Sequence, residues 1–373
     1  MKHILFIVSE DWYFVSHRLH LATIAIENGF SVTLLTNVSK NRSLIEASGV
    51  KVIDWRINRS GLNVFLDIKA ILRIFHVIRQ CNPDIVHSVA IKPVVYSALV
   101  SMMSSVKIRI FALGGLGFSF SSNKTLMKLV RPLLVVVLRL LLKGPRTRLI
   151  LQNQDDIELF LRKKIIKIDK VRLIRGAGVD TQKYCPNKLD NDPALVILPA
   201  RMLWDKGISE FVTCAKQFKE NGINTRFCLI GSPDKYNPES IPLQKLKEWS
   251  DEGIVEWWGQ QDDMNKVYSQ SAIVCFPSYR EGLPKSLLEA ASCGLPIVAF
   301  DVPGCREIIK DGVNGFLVPF KDTDALYSAI LKLLNDSNLR DSMGHSGREL
   351  VIEEFSKEII ASQTLKVWNE AFE

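Results

Sequence analysis

Phe276–Pro296 reads FPSYREGLPKSLLEAASCGLP. The apolar run ending at Phe276, AIVCF over Ala272–Phe276, reads as a buried strand. Pro277–Leu283 form a loop. Pro284 sits where a first-turn proline opens a helix, which runs to about Cys293 and is closed by Gly294 and Pro296. The loop therefore lies at the carboxyl end of a strand and at the N-terminus of a helix. Unpaired backbone N–H groups and the helix dipole favour an anion there, phosphate above all. Glu281 stands in the loop and Glu289 a turn and a half into the helix. A carboxylate beside a phosphate is unfavourable unless it grips hydroxyls, and sugar hydroxyls are the obvious partners. Singly, Glu281 would read as a complement to the dipole and Glu289 as a surface residue. Together with the loop they read as a site.

The same unit recurs upstream. LVIL at Leu195–Leu198 is a strand, PARMLWDKGISEF at Pro199–Phe211 carries Arg201 and Lys206 in the loop that follows, and a helix begins near Gly207. Two cations on the ligand side of a sheet suit a diphosphate; a solvated basic loop is the plainer alternative. Further strands are expected at Arg226–Ile230, Ile254–Trp257, Pro296–Ala299 and Gly315–Val318, and helices at Leu339–Glu354 and Lys357–Ala371, the last capped by Ser356. The first half alternates in the same way. His3–Val8 is a strand, followed by a polar loop and a helix over Ser16–Asn28. Strands follow at Ser31–Thr36, Lys51–Ile53, Asp84–His87, Ile108–Phe111 and Lys170–Ile174. Continuous β-branched runs separated by helices predict parallel strands buried on both faces. The expected fold is α/β: two Rossmann-like, doubly wound parallel-sheet domains facing across a cleft, with ligands at the carboxyl ends of the strands. The expected boundaries are a first domain over 1–180, an irregular linker over 181–193, a second domain over 194–354, and a C-terminal helix over 355–373 that packs back on the first domain.

Composition narrows the function classes. The 373 residues are 47% hydrophobic and 24% charged, ordinary for a globular chain and unlike a disordered, collagenous or coiled-coil one. Seven cysteines without a CxxC pair argue against a disulfide framework or a structural zinc site. The apolar start MKHILFIVS is cut short by Glu10 and Asp11, so no secretory leader is expected, and no uncharged apolar run reaches the ~18 residues of a spanning helix. The net charge of +8 is split between +15 in residues 1–180 and −7 in residues 181–373. The basic half should meet something anionic. Leu126–Lys143 (LMKLVRPLLVVVLRLLLK) is strongly apolar, broken by Lys128, Arg131, Arg139 and Lys143, with Pro132 inside. It reads first as a half-buried helix packed on the sheet, and otherwise as an interfacial helix with its cations at lipid headgroups. The two readings are compatible.

EGLPKSLLE, with its two glutamates, resembles the signature of the family-four retaining glycosyltransferases of GT-B fold. Arg201-x4-Lys206-Gly207, the Gly231 turn, the Trp258-Gly259 turn, and Pro303-Gly304 with Gly312-x2-Gly315 match in family order through the second half. Asp11-Trp12, Ser16-His17-Arg18, Ile91-Lys92-Pro93 and Gly114-Gly115-Leu116-Gly117 resemble the capsule and O-antigen biosynthesis subgroup, whose members add sugars to a polyprenyl-diphosphate-linked acceptor at the inner membrane face.

The resemblance implies roles. Arg201 and Lys206 hold the donor diphosphate and stabilise the departing nucleotide. Glu281 contacts the transferred sugar, and these three residues are the catalytic candidates. The backbone of Gly282 and Leu283, ahead of Pro284, lies near sugar and phosphate; Glu289 accepts hydrogen bonds from the ribose; Gly231 and Gly259 border the donor. From their place after the first strand, at the ligand end of the basic half, His17 and Arg18 are assigned to the acceptor diphosphate; the alternative for His17 is a helix-start residue with no ligand. Two departures stand out. The first strand–helix loop, Ser9–Phe14, lacks the family's Gly-Gly pair, and Ala112–Gly117 stands where many members place a histidine. Gly115 is expected instead to let the backbone approach sugar or acceptor.

The expected function is retaining transfer from a nucleotide sugar, uridine-linked and an N-acetylhexosamine by preference. The acceptor is a polyprenyl-diphosphate-linked saccharide, and the enzyme is cytoplasmic and peripheral on an anionic membrane. Neither metal nor cofactor is expected, since two cations and a helix N-terminus meet the growing charge. A nucleotide-sugar 2-epimerase shares the architecture and is one alternative; a non-catalytic membrane-surface binder is another. Nucleic acid is disfavoured by the lack of a helix-turn-helix or RNP-type aromatic pattern. Among the histidines, His87 reads as a satisfied residue or a functional one, and His3, His76 and His345 as structural.

Overall fold

The computed structural model describes residues 1–57, 63–115, 125–187, 189, 192–234 and 237–373, the side chains of 125–129 excepted. The chain forms two compact units: Met1–Ala177 with Glu358–Glu373, and Gly178–Lys357.

The first unit holds a parallel sheet of β1 Lys2–Glu10, β2 Phe30–Asn37, β3 Lys51–Asp54, β4 Ile85–Val89, β5 Ile108–Leu113, β6 Thr147–Leu151 and β7 Val171–Leu173. Their order is β3-β2-β1-β4-β5-β6-β7. The connecting helices are α1 Asp11–His17, α2 Leu19–Glu27, α3 Arg42–Ala47, α4 Val64–Cys81, α5 Ile91–Met102, α6 Thr125–Leu141 and α7 Gln154–Arg162. Side chains alternate across each strand, so Ile4, Phe6 and Val8 of β1 join one core with Phe14, Leu21 and Trp368. Leu5 and Ile7 join the opposite core with Ala70, Ile74 and Val77 of α4. Burial on both faces is why the strand reads as an unbroken apolar run.

The second unit repeats the plan with β8 Leu195–Pro199, β9 Arg226–Ile230, β10 Glu256–Gly259, β11 Ile273–Phe276, β12 Ile297–Phe300 and β13 Gly315–Val318, again all parallel. The order is β10-β9-β8-β11-β12-β13. Its helices are α8 Ile208–Glu220, α9 Leu243–Asp251, α10 Met264–Ser269, α11 Lys285–Ser292, α12 Cys305–Ile308, α13 Thr323–Asn335 and α14 Ser337–Glu354. The final helix, α15 Lys357–Glu370, belongs almost wholly to the first unit. There Trp368 is buried edge-on to Phe6 and donates its Nε1–H to His87 Nδ1 at 3.0 Å. Burial first, and then the charge of Arg18, push the His87 pKa down to about 3. His87 is thus a neutral core histidine tied to the last helix.

The α/β class and both parallel sheets match the sequence reading; several local expectations do not. No polar loop follows β1: the strand runs to Glu10 and α1 starts at Asp11. The Asp11 carboxylate, buried, accepts hydrogen bonds from Ser39 N at 2.7 Å, Ser39 Oγ at 2.6 Å and Asn41 N at 3.1 Å. Burial pushes its pKa up, but these bonds outweigh burial and hold it low. A polar residue at a strand end reads as loop until its distant partners are known. The single helix expected over Ser16–Asn28 is two, broken at Arg18. Strand β6 escaped the reading because Thr147 and Arg148 dilute its apolar run; pairing with β5 and β7 makes it a strand. Pro284 caps α11 rather than opening its first turn. All seven cysteines are free.

Candidate active site

Strand order reverses where β8 meets β11, so the loops leaving these neighbours splay apart at their carboxyl ends. Those loops carry Arg201–Lys206 and Pro277–Pro284. Backbone bonds join them: Tyr279 N donates to Asp205 O at 2.9 Å. Gly207 adopts φ +71°, and a Cβ there would lie 1.9 Å from Pro277 O, so only glycine allows this approach. On the far side, Glu281 N reaches Pro303 O at 3.4 Å, and Gly304, with φ +84°, presses against the carbonyls of Glu281 and Gly282.

This stitching brings Lys206 and Glu281 together. Lys206 Nζ lies 2.5 Å from Glu281 Oε1, and both side chains are only 14% exposed. The buried Ser278 hydroxyl donates to the same oxygen at 2.7 Å. Asp205, half-hidden beside them, has its carboxyl pKa raised, chiefly by burial. Its Oδ1 is buried without a hydrogen-bond partner. Arg201 pairs with Asp234 at 2.8 Å, its own side chain half exposed. Gly231, at φ +140°, closes the turn after β9, where a Cβ would meet Ala200 O at 1.9 Å; its N–H bonds Gly259 O at 2.7 Å. Gly282, Leu283 and Pro284 are buried immediately before α11. The two cations and Glu281 read separately from the sequence therefore have partners: Lys206 with Glu281, Arg201 with Asp234.

Glu289 is 7% exposed. Its Oε1 meets Lys285 Nζ at 3.0 Å, and Tyr268 donates its hydroxyl to Oε2 at 3.3 Å. Tyr268 and Tyr184 both have their hydroxyl pKa pushed up, first by burial and then by the Glu289 charge. A carboxylate held this firmly can accept from a ligand hydroxyl without reorganising. Glu289→Gln should therefore raise the KM for a nucleotide-bearing ligand, with kcat mostly kept. A charged hydrogen bond is worth ~1.5–3 kcal/mol, or about 10- to 150-fold. Steady-state kinetics checks this, and an unchanged KM would contradict it.

In the first unit His17 ends α1 with its ring stacked on Tyr13, centroids 4.2 Å apart. Ser16 Oγ hydrogen-bonds its Nδ1. Tyr13 in turn abuts Gly114 beyond β5, where a Cβ would stand 3.1 Å from the phenol oxygen. Gly115 follows with φ +125°. His17 and the glycines thus lie around one tyrosine. Arg18 is only 4% exposed, and its buried Nε has no hydrogen-bond partner. Leu116 and Gly117 lie outside the described residues. The sequence reading missed Ser278, Asp205, Asp234, Lys285 and Tyr268. Ser278, three residues before Glu281, and Lys285, four before Glu289 on the same helix, had local signals. It also missed Ala90, which holds φ +78° and ψ 159° just before Ile91-Lys92-Pro93, a conformation otherwise reserved for glycine. Among the described residues no group of three or more His, Cys, Asp and Glu side chains is placed to hold a metal ion.

Comparison with known proteins shows the family and the fold. Residues 3–154 match the family model for glycosyl transferase 4-like domains, and residues 182–350 that for glycosyl transferases group 1. The chain is 28% identical over 334 residues, 86% of each chain, to the Campylobacter jejuni N,N'-diacetylbacillosaminyl-diphospho-undecaprenol alpha-1,3-N-acetylgalactosaminyltransferase. It is 22% identical over 309 residues, 79% of this chain and 78% of the relative, to the Escherichia coli UDP-Gal:alpha-D-GlcNAc-diphosphoundecaprenol alpha-1,3-galactosyltransferase. A glycosyltransferase crystal structure from Rickettsia africae superposes with a TM-score of 0.78 over 100% of this chain and 99% of its own, at 17% identity, a likeness of fold. Two parallel-sheet units and family matches over both halves make this chain a glycosyltransferase of the GT-B class, with a glycosyl transferase 4-like first half and a group 1 second half.

Proposed function

We propose that the protein transfers a sugar, an N-acetylhexosamine by preference, from a UDP-linked donor to a polyprenyl-diphosphate-linked saccharide. The transfer is retaining and serves capsule or O-antigen synthesis. The observation that carries this reading is the Ser278–Glu281–Lys206 cluster at the carboxyl ends of β8 and β11. Breaking a glycosyl–phosphate bond leaves its electron pair, and so negative charge, on the diphosphate. Lys206 supplies a largely desolvated cation for that charge, and Arg201 a second, more mobile one. Glu281 fixes Lys206 and turns its remaining lone pairs to the sugar. Glu289 takes the ribose. The acceptor diphosphate is assigned to Arg18 and His17, with Gly115 giving close backbone approach; the orphaned Arg18 Nε supports that assignment. The names of the two bacterial relatives, which specify diphospho-undecaprenol acceptors, and for one a UDP-linked donor, support both ends of the reaction.

An acceptor of this kind stays in a bilayer, so the enzyme is placed peripherally on the cytoplasmic face of the membrane. Among the described residues no helix is long and apolar enough to cross one. Helix α6 supports a docked position: Leu138 and Leu141 are buried while Leu133, Val136 and Leu140 are exposed.

The test is incubation with a UDP-sugar and a short polyprenyl-diphosphate sugar. Released UDP and an acceptor heavier by one sugar are expected. Sugar isomerised without acceptor would identify an epimerase instead, and no change with any donor a binder. EDTA should leave the rate largely intact, because Lys206 and Arg201 take the place of a divalent ion. Complete inhibition rescued by magnesium would overturn that assignment.

A further inference from the structure

We propose that the outer face of α4, α5 and α6 forms one flat docking surface for a bilayer bearing anionic headgroups, with the first two turns of α4 as its main apolar element. This deepens the membrane reading above, and rests on that reading for its setting while standing apart from the sugar chemistry.

The three helices lie side by side, α5 touching both α4 and α6. Inward they bury Ala70, Ile74 and Val77 of α4, Val94 and Ala98 of α5, and Leu138 of α6. Outward they are apolar again. Phe65 is 81% exposed, Leu72 60%, Met102 57% and Leu133 64%. Of the twenty large apolar side chains exposed among the described residues, eleven stand on these three helices or on the residue that caps α5. The exposed apolar surface is therefore concentrated rather than scattered, which marks an interaction face.

Charge selects the occupant. Helices α4, α5 and α6 together carry seven lysines and arginines and one acid, Asp67. Asp67 is taken up by Lys92 at 3.3 Å. Lys69 and Arg73 are exposed beside Ile68 and Leu72. A second copy of this chain would set two basic faces together. An anionic bilayer neutralises the cations and accepts the apolar side chains at once. Arg139 of α6 is not part of this: its guanidinium donates to the carbonyls of Lys163 and Lys164 at 2.8 and 3.1 Å, past the end of α7. Charge reversal on α6 would therefore disturb packing, and α4 gives the cleaner test.

The experiment is co-sedimentation of the full chain with phosphatidylglycerol-containing vesicles and with phosphatidylcholine vesicles, at low and high salt. The parent should bind only the anionic vesicles and keep part of its binding at high salt. Lys69→Glu with Arg73→Glu should weaken low-salt binding by about 30-fold or more, from ~1 kcal/mol per cation. Phe65→Ser, Ile68→Ser and Leu72→Ser together should remove the salt-resistant part, a loss of more than tenfold. These side chains are exposed, so thermal unfolding should be unchanged and serves as the folding control. Parent-like binding by both α4 variants would overturn the proposal. So would a parent dimer, seen by analytical ultracentrifugation, that the serine variant splits while vesicle binding stays absent. Failure of the glycosyl-transfer reading would appear as no UDP release with any acceptor, a separate outcome from vesicle binding.

Discussion

Replacing Lys206 with alanine is expected to lower kcat/KM for the nucleotide sugar by about 10²- to 10³-fold, most of it in kcat. Lys206 is largely desolvated, so its field on a departing diphosphate is little screened by water. Removing a preorganised donor aimed at developing charge costs ~3–4 kcal/mol in comparable sites. A second consequence follows from the pairing. Without Lys206, Glu281 is left as a poorly solvated carboxylate next to the incoming phosphates, and donor binding should weaken as well. Lys206→Ala with Glu281→Gln should then lose less than the two single losses combined, because the second change removes the repulsion left by the first. Steady-state kinetics on the two variants and the double variant, each with parent-like thermal unfolding, decides this. Parent-like turnover in Lys206→Ala would remove Lys206 from the reaction, and fully additive losses would show that the pair does not act as a unit.

Glu281→Gln is expected to reduce kcat by about 10- to 150-fold, the value of one charged hydrogen bond at the transferring sugar, ~1.5–3 kcal/mol. The amide keeps the size of the side chain and can still accept from Ser278, so the loop should hold its shape. The charge is what disappears. Lys206 then keeps its full positive charge, and the ground-state diphosphate should bind as tightly as before or more tightly. A fall in kcat with an unchanged or lower KM for the donor is the expected split. Near-parent kcat would sink the assignment of Glu281 to the transferring sugar. A raised KM with kcat intact would make it a ground-state ligand of the donor.

Much of the fold was legible because burial on both faces leaves a mark in the chain. Arg226–Ile230 and Gly315–Val318 were bounded correctly, since nearly every residue of each faces a core and the flanking turns are polar. The legibility failed where a residue's partner is far away. Asp11 reads as loop until Ser39 and Asn41 are known to cap it. Thr147–Leu151 reads as nothing in particular until β5 and β7 lie on either side. The amphipathic signal also has a blind spot at α4, where Phe65, Ile68 and Leu72 are as apolar as Ala70, Ile74 and Val77. Periodicity cannot say which face the sheet takes. Packing against the sheet chose the side carrying the small Ala70 and left the bulky one outside.

The sequence by itself determined the two parallel sheets, the strand–loop–helix unit at Phe276–Pro296, and the family to which the chain belongs. These are local properties: the period of apolar residues, the place of a proline or glycine, and the spacing of two glutamates. Only the tertiary structure decided that Lys206 and Glu281, 75 residues apart, share one ion pair with Ser278, and that Arg201 leans on Asp234. An ion pair depends on distance in space, and its strength on how far water is excluded. Both are set by the crossover of β8 and β11 and by the glycine at 207 that lets the two loops touch, and neither is written in the chain at any single place.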